Sequence, residues 1–285
     1  MISQTNPFVC LDEMNLARVE HYFSDFLSVL ESRRKEHGRV ITDAVLGEDQ
    51  IERMKLDSLG PSSVALKRLK AQSRSLGIPP NLFIVGTVNM DETTQPFSRK
   101  VLDRANTLEF NEIDLMEGVN GDIPEDEVPA LNLSSDFLKG EFASLADIPP
   151  DKQEIALQIA SFLQEVNRSL VKAGFEVGYR VRDESIAFTI YGLAAGMSMK
   201  EAKENIVLQK VLPRLQGSSP RIEKALISLM QQFAGDEDIS EPESPGFSER
   251  LISLRTHSDA SPVLRKIAGM LLIFLEEGFT SYWLA

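Results

Sequence analysis

The sequence predicts an α/β domain followed by a helical domain. Two short apolar runs, at residues 8–11 and 82–88, are typical of strands in a parallel sheet. From residue 151 onward, apolar residues recur at helical spacing almost throughout. An acidic stretch with several glycines and prolines separates the two regions and has the composition of a linker. We therefore divide the chain into an α/β domain at 1–112, a linker at 113–150 and a helical domain at 151–285.

The first domain is expected to alternate strands and helices. The run Phe8–Leu11 predicts a fully buried strand, and Cys10 within it is expected to be a buried small residue. Apolar residues at helical spacing predict one amphipathic helix over 17–32. The remaining expected elements are a strand at 39–41, a basic helix at 62–73 and a helix at 98–105.

The second domain is expected to consist of helices. Apolar residues between Ile155 and Leu170 line one helix face. Pro220 and Pro262 each follow a serine, a pair that favours the start of a helix. The apolar stretch at 267–275 is too short to cross a bilayer, so it predicts a core helix.

Composition narrows the class of protein. The 285 residues are 42% apolar and 26% charged, which is typical of a globular chain. One cysteine excludes an internal disulfide framework, and the N-terminus has no secretory signal pattern, so we expect a cytoplasmic protein without membrane partners. The net charge of −13 disfavours nonspecific binding to nucleic acid, so DNA is expected to be contacted only indirectly.

The run FVCLDEMN, residues 8–15, ends its apolar part in two acids. Asp12 and Glu13 are therefore expected at the carboxyl end of a strand, where open α/β sheets bind their ligands. In a nucleoside triphosphatase, the first acid helps to hold Mg²⁺ and the second orients or deprotonates the attacking water. The alternative is an acidic pair that is only solvated.

The second strand, in IPPNLFIVGTVNMDETT, places Asn89 at the same sheet edge. A side-chain amide can donate to a phosphate oxygen and accept from water. The alternative is an asparagine that only begins a turn. Further along, Arg104 follows a predicted helical turn in FSRKVLDRANTLEF. Its guanidinium could stabilise the transition-state charge of a neighbour's triphosphate, or form an ordinary surface ion pair.

Together the three elements resemble the Walker B, sensor 1 and arginine-finger series of AAA+ motors. The segments LDEMNLARVE, VGTVNMDETT and KVLDRANTLEF resemble those of the McrB-like, MoxR-related group, which drives modification-dependent DNA restriction. The resemblance implies catalytic roles for Glu13, Asn89 and Arg104, and a Mg²⁺ contact through water for Asp12. It implies Mg²⁺ and ATP, or GTP, as cofactors.

The segment FEVGYRVRDESIAF, residues 175–188, resembles the lid of these motors. There Arg180 or Arg182 is the candidate that senses the γ-phosphate. Two segments depart from the group's pattern. Asn15 is followed by leucine instead of arginine, and residues 91–94 read DETT where the restriction group has Ala-Asp-Arg-Ser. These differences weaken the case for GTP and for the exact restriction role, and ATP is the default nucleotide of the family.

The sequence contains no glycine-rich loop of the form G-x-x-x-x-G-K-[ST], which would cradle the phosphates. We therefore expect a truncated AAA+ module, half of a nucleotide-binding domain plus a helical lid, that does not hydrolyse nucleotide alone and binds little or none. Expected partners are a second copy, a complete AAA+ homologue or a nuclease subunit. The alternatives are a non-enzymatic interaction protein, one half of a split ATPase, or a DNA-binding regulatory domain.

Overall fold

The computed structural model describes residues 7–53, 75–90, 94–110, 115, 140–142, 144–234, 246–257 and 260–285. The chain divides into two compact units. The first comprises Met1–Phe97 and Glu109–Asp147, and the second comprises Ser98–Leu108 and Ile148–Ala285. The predicted basic helix at 62–73 and most of the predicted linker at 113–150 lie outside the described residues.

The first unit contains short strands and short helices. In chain order they are β1 (Phe8–Leu11), α1 (Val19–Tyr22), α2 (Ser24–Glu31), β2 (Arg34–Glu36), β3 (Arg39–Ile41), β4 (Ala44–Leu46), α3 (Glu48–Arg53), β5 (Leu76–Gly77) and β6 (Phe83–Gly86). The described strands form three two-stranded sheets. In the first, β1 runs parallel to β6. In the other two, β2 pairs with β3 and β4 pairs with β5, both antiparallel. The predicted strand at 39–41 is confirmed as β3.

The pairing of β1 with β6 positions the candidate site. Phe8 pairs with Phe83, and Leu11 pairs with Gly86. Just beyond this register, the amide of Thr87 donates to the carbonyl of Leu11 at 3.0 Å. The prediction of neighbouring parallel strands is confirmed, with β6 shorter at both ends than the expected 82–88.

The prediction that β1 is a fully buried strand is wrong. Phe8 is 62% exposed, Val85 on β6 is 51% exposed, and Cys10 is exposed as well. An apolar run predicts burial because both faces of a parallel sheet are normally covered. Among the described residues this sheet has two strands, and the Phe8 ring stacks on Phe83 of the neighbouring strand, with ring centroids 5.0 Å apart.

The prediction of a single helix over 17–32 is also wrong, because the chain forms the two helices α1 and α2 there. The break falls at Phe23, whose φ of −109° and ψ of 9° depart from helical values. The Phe23 ring stacks on Phe26, with centroids 4.5 Å apart. Each helix buries one apolar residue of the predicted face, Val19 in α1 and Leu27 in α2, whereas Tyr22 of the same face is 51% exposed.

The second unit is helical. Its helices are α4 (Arg99–Leu102), α5 (Gln153–Leu170), α6 (Tyr179–Ala194), α7 (Met199–Ile206), α8 (Pro220–Ala234), α9 (Phe247–Thr256) and α10 (Pro262–Glu277). The predicted helix starts at Pro220 and Pro262 are confirmed. Proline suits the first turn because an amide there has no helical partner. The helix predicted at 98–105 is shorter than expected and ends at Leu102.

The core of this unit lies between the longer helices. Fully buried side chains include Ile159 on α5, Leu226 on α8, and Ile267 and Met270 on α10. The stretch predicted as a core helix at 267–275 therefore lies in the core of this unit, with Leu275 at its exposed end. In the described part of the chain, no helix is long and apolar enough to cross a membrane.

Side-chain contacts attach the segment Ser98–Leu108 to the second unit. The Arg99 guanidinium lies 4.5 Å from the centre of the Phe175 ring. Asp103 forms an ion pair with Arg214, which is buried. These contacts explain why the segment clusters with the helices, although it follows β6 in sequence.

Candidate functional site

A threonine hydroxyl joins the ends of β1 and β6. The Oγ1 of Thr87 donates to a carboxylate oxygen of Asp12 at 2.5 Å. The same Oγ1 accepts a hydrogen bond from the backbone amide of Glu13 at 2.8 Å. The amide of Met14 in turn donates to the carbonyl of Thr87 at 3.0 Å. Asp12 and Glu13 directly follow β1, so two carboxylates lie at its carboxyl end, as predicted. Both side chains are exposed, and hydrogen bonds hold the backbone that carries them.

The turn that carries these acids is tight. Glu13 has φ 48° and ψ 47°, in the left-handed region that residues other than glycine seldom adopt. The 3₁₀ turn Met14–Leu16 follows at once, and the Met14 side chain passes over Gly86. A Cβ atom on Gly86 would lie only 1.9 Å from the Met14 sulfur. Glycine at the end of β6 therefore gives the Met14 side chain room in its present position.

Asn15 connects this turn to the loop after β6. Its side chain is buried, with 1% of its surface exposed, and Nδ2 donates to the carbonyl of Asn89 at 2.8 Å. The carbonyl of Asn15 accepts from the amide of Gln95 at 2.9 Å. The backbone of Asn89 therefore lies against the residue two positions after Glu13, and Asn89 itself is exposed.

The donors at this edge fit a weakly held magnesium ion. Within the described ranges, no group of three or more His, Cys, Asp and Glu side chains could hold a metal by itself. Mg²⁺ usually takes one or two carboxylates and fills its other positions with water and substrate phosphates. Asp12, oriented by Thr87, satisfies that requirement. Glu13 beside it is exposed and could contact a water molecule.

Arg104 belongs to the second unit and lies in the turn after α4. Its Nη1 donates to the carbonyl of Lys100, one turn earlier. The pKa of the Arg104 guanidinium is lowered, first by burial and then by the positive charge of Arg180, while the negative charge of Glu184 acts in the opposite direction. The second unit therefore brings the arginine-finger candidate near one of the two lid arginines.

The other lid candidate, Arg182, has different surroundings. Its Nε and Nη2 each lie 2.7 Å from the Asp183 carboxylate, and its guanidinium lies 4.7 Å from the centre of the Tyr179 ring. Both Arg180 and Arg182 lie in the first turns of α6.

The sequence alone did not single out several residues at the edge of the β1–β6 pair and in the helical unit. Thr87 and Asn15 lie inside the segments singled out as motifs, but only the pairing of β1 with β6 shows what they bond. Glu184 lies inside the predicted lid segment, and its partner Lys210 is 26 residues further on. A lysine buried in an apolar helical stretch is the one signal that could have drawn attention to this pair.

The first unit thus presents a polar edge on a parallel strand pair, and the second carries Arg104, Arg180 and Arg182 on its helical elements. The chain belongs to the family described as Domain of unknown function (DUF8727), which matches residues 127–279, more than half of its length. The match includes Arg180 and Glu184, whereas the acids at the sheet edge and Arg104 precede it. No curated protein and no solved structure matches the chain.

Proposed function

We propose that the chain supplies the hydrolytic residues of an AAA+ nucleoside triphosphatase of the McrB-like kind. In this assembly, a glycine-rich loop outside these 285 residues holds the phosphates. The observation that carries the proposal is the hydrogen bonding of Thr87 to the residues that end β1. Together with the hydrogen bond from Asn15 to the Asn89 carbonyl, it gathers two acids and the loop of Asn89 at the edge where open α/β sheets bind ligands.

Each residue at this edge has a role that fits its contacts. Asp12 would help to hold Mg²⁺, and the hydroxyl of Thr87 orients its carboxylate. The ion, when bound, neutralises charge on the phosphate oxygens. Glu13 accepts a hydrogen bond from the attacking water and takes its proton. The Asn89 amide donates to a γ-phosphate oxygen or positions the same water.

Arg104 acts on a nucleotide held by another subunit, where its charge stabilises the transition state. Of the two lid arginines, we favour Arg180 for sensing the γ-phosphate, because its positive charge acts on Arg104. ATP is the expected nucleotide. We place the assembly in the cytoplasm, with DNA contacted only through partners.

Hydrolysis by a complete McrB-like homologue, measured with and without this chain, tests the role of Arg104. We expect the chain alone not to hydrolyse Mg-ATP. The mixture of chain and homologue should hydrolyse it faster than the homologue alone. Arg104→Ala should reduce that gain at least tenfold, since arginine fingers contribute about 10³–10⁵ in rate. Arg168→Ala, which removes an exposed arginine of α5, is the matched control and should leave the gain intact. The absence of any gain with the unaltered chain contradicts this role.

A second candidate is a non-enzymatic interaction protein that docks onto a complete homologue or a nuclease subunit. The exposed apolar side chains of β1 and β6, among them Phe8 and Val85, favour it. The two candidates differ in one outcome. A docking protein binds its partner equally well with Glu13→Gln or Arg104→Ala. Neither substitution then changes the rate at which the partner hydrolyses nucleotide.

A further inference from the structure

Arg214 is a buried arginine in the second unit. It ends the 3₁₀ turn Leu212–Arg214, which follows α7 after the π-helical turn Val207–Val211. Its side chain is only 6% exposed, so its charge lies inside the helical unit. A buried charge destabilises a fold strongly unless a partner of opposite charge neutralises it. The partners of this guanidinium therefore indicate what it contributes to the unit.

The guanidinium of Arg214 contacts two segments that are far apart in sequence. Its Nη2 forms an ion pair with Oδ1 of Asp103, the residue directly after α4. Its Nη1 donates to the carbonyl of Glu176 at 3.4 Å, in the loop before α6. The planar fork of an arginine can hold two acceptors in fixed directions, whereas a lysine offers a single point charge. Arg214 thus joins the end of α4 to the loop that leads into α6.

This loop, residues 174–178, is itself held in place by other elements. The Asn167 side chain on α5 donates from Nδ2 to the carbonyl of Val177 at 3.0 Å, and its Oδ1 accepts from the amide of Val177 at 2.8 Å. From the start of α4, Nη1 of Arg99 donates to the carbonyl of Gly174 at 3.0 Å. The loop is therefore a fixed support, and α4 is attached to it at its first residue as well.

Arg104, the arginine-finger candidate, directly follows Asp103. The backbone amide of Arg104 donates to the carbonyl of Val101 at 2.9 Å, and its Nη1 donates to the carbonyl of Lys100. Both acceptors belong to α4, so the Arg104 guanidinium moves with this helix. A helix of four residues is too short to be stable without tertiary contacts. The direction of Arg104 therefore depends on what holds the two ends of α4.

We propose that Arg214 is a positioning residue for Arg104. Its ion pair with Asp103 fixes the end of α4 against the loop before α6, and Arg104 at the next position is held with it. The role rests on the proposed function only in what Arg104 then contacts, namely a phosphate group of a bound nucleotide. The competing explanation is that Arg99 and the hydrogen bonds of α4 suffice to hold Arg104, so that the pair of Arg214 with Asp103 only stabilises the fold.

The ¹⁵N relaxation of the arginine side chains in the full chain separates the two explanations. The Nε–Hε signal of Arg104 is assigned by its loss in Arg104→Lys, and its order parameter measures how firmly the guanidinium is held. The first variant is Arg214→Met, which leaves the Asp103 side chain accessible to water over at least its present 26%. The second variant adds Asp103→Asn, which removes both charges and replaces the first if that one does not fold. Glu165→Gln with Arg168→Met makes the same charge change on the exposed face of α5 and serves as the control.

We expect the order parameter of the Arg104 Nε–Hε bond to fall by about 0.2 or more in both variants, from the rigid toward the flexible range, and to stay unchanged in the control. An unchanged Arg104 order parameter in a folded variant overturns the proposal and leaves a structural ion pair. The sample contains neither nucleotide nor partner, so this outcome is independent of whether the proposed hydrolysis occurs.

Discussion

At the residue scale, Thr87 has more influence on the site than its exposed position suggests. Its hydroxyl donates to the Asp12 carboxylate while it accepts from the Glu13 amide. A hydroxyl can do both at once, whereas valine of the same shape can do neither. The two acids therefore depend on a neighbouring strand for their orientation.

Replacing this hydroxyl should loosen the turn. We expect Thr87→Val to lower the free energy of unfolding by about 1 kcal/mol, since a partly solvated hydrogen bond contributes about that much. Thr87→Ser keeps the hydroxyl and should lose less than half as much. Urea unfolding of both variants measures the difference. Equal stability of Thr87→Val and the unaltered chain is the result that rules this out.

The contact between Gly86 and Met14 gives a second expectation at this scale. Gly86→Ala places a Cβ atom where the Met14 sulfur lies, so the Met14 side chain must move. Because this side chain is flexible and only half-buried, we expect a cost of about 1 kcal/mol in unfolding free energy, at the low end for overpacking. Adding Met14→Ala should relieve the clash, so the double variant is expected to lose less than the sum of the two single changes. Simple additivity in denaturant unfolding would show that the two residues are not in contact.

At the element scale, the start of α7 shows how a few polar groups define a helix. The amide of Ser198 donates to the Glu201 carboxylate at 2.7 Å, and the amide of Glu201 donates to Ser198 Oγ at 3.2 Å. This reciprocal pair satisfies two amides that have no helical partner. The backbone hydrogen bond from Ser198 is the main reason why the pKa of Glu201 is lowered from its ordinary value of 4.5.

The lowered pKa of Glu201 predicts the direction in which the stability of the fold changes with pH. A carboxylate whose pKa is lowered on folding stabilises the fold above its ordinary value of 4.5, and the contribution is lost as the pH falls through the lower folded value. The unaltered chain should therefore unfold at a higher temperature than Glu201→Gln at pH 7, and the gap should shrink in acid. A gap that stays constant, or that widens in acid, contradicts the assignment.

The elements differ in how well the sequence predicts them. β1, β6, α8 and α10 depend on local signals, either an apolar run or a serine-proline start, and these were predicted correctly. The exposure of Phe8 depends on whether other elements cover the sheet, and an apolar run alone does not predict that. The contact between Lys210 and Glu184 joins residues 26 positions apart, and a π-turn has no sequence pattern of its own.

At the scale of the whole molecule, the strand pair β1 and β6 presents apolar side chains to solvent. Exposed apolar surface of this kind marks an interaction site when its members are contiguous. Phe8 and Val85 belong to the same two-stranded sheet, so a partner or a second copy could cover both.

We expect Val85→Thr with Phe8→Thr to weaken association of the chain with itself or with a complete homologue. Both changes place threonine, a β-branched residue that favours strands, at these positions, so the parallel pairing should survive. Light scattering of the purified chain, alone and with the homologue, measures the association. Ile252→Thr, which replaces an exposed apolar residue of α9, is the control. A chain that is monomeric in every mixture contradicts the interaction.

The most direct test concerns Glu13 in a chain that can bind nucleotide. A phosphate-loop segment from a McrB-like homologue is joined to this chain, and a fusion that binds Mg-ATP is selected by calorimetry. Glu13→Gln should lower its kcat by about 10²-fold or more with little change in ATP affinity, because the carboxylate acts on the attacking water. The control Glu165→Gln should leave kcat unchanged. A fusion that binds ATP and hydrolyses it equally well with glutamine at this position would contradict the assignment of Glu13 and, with it, the proposed hydrolytic role.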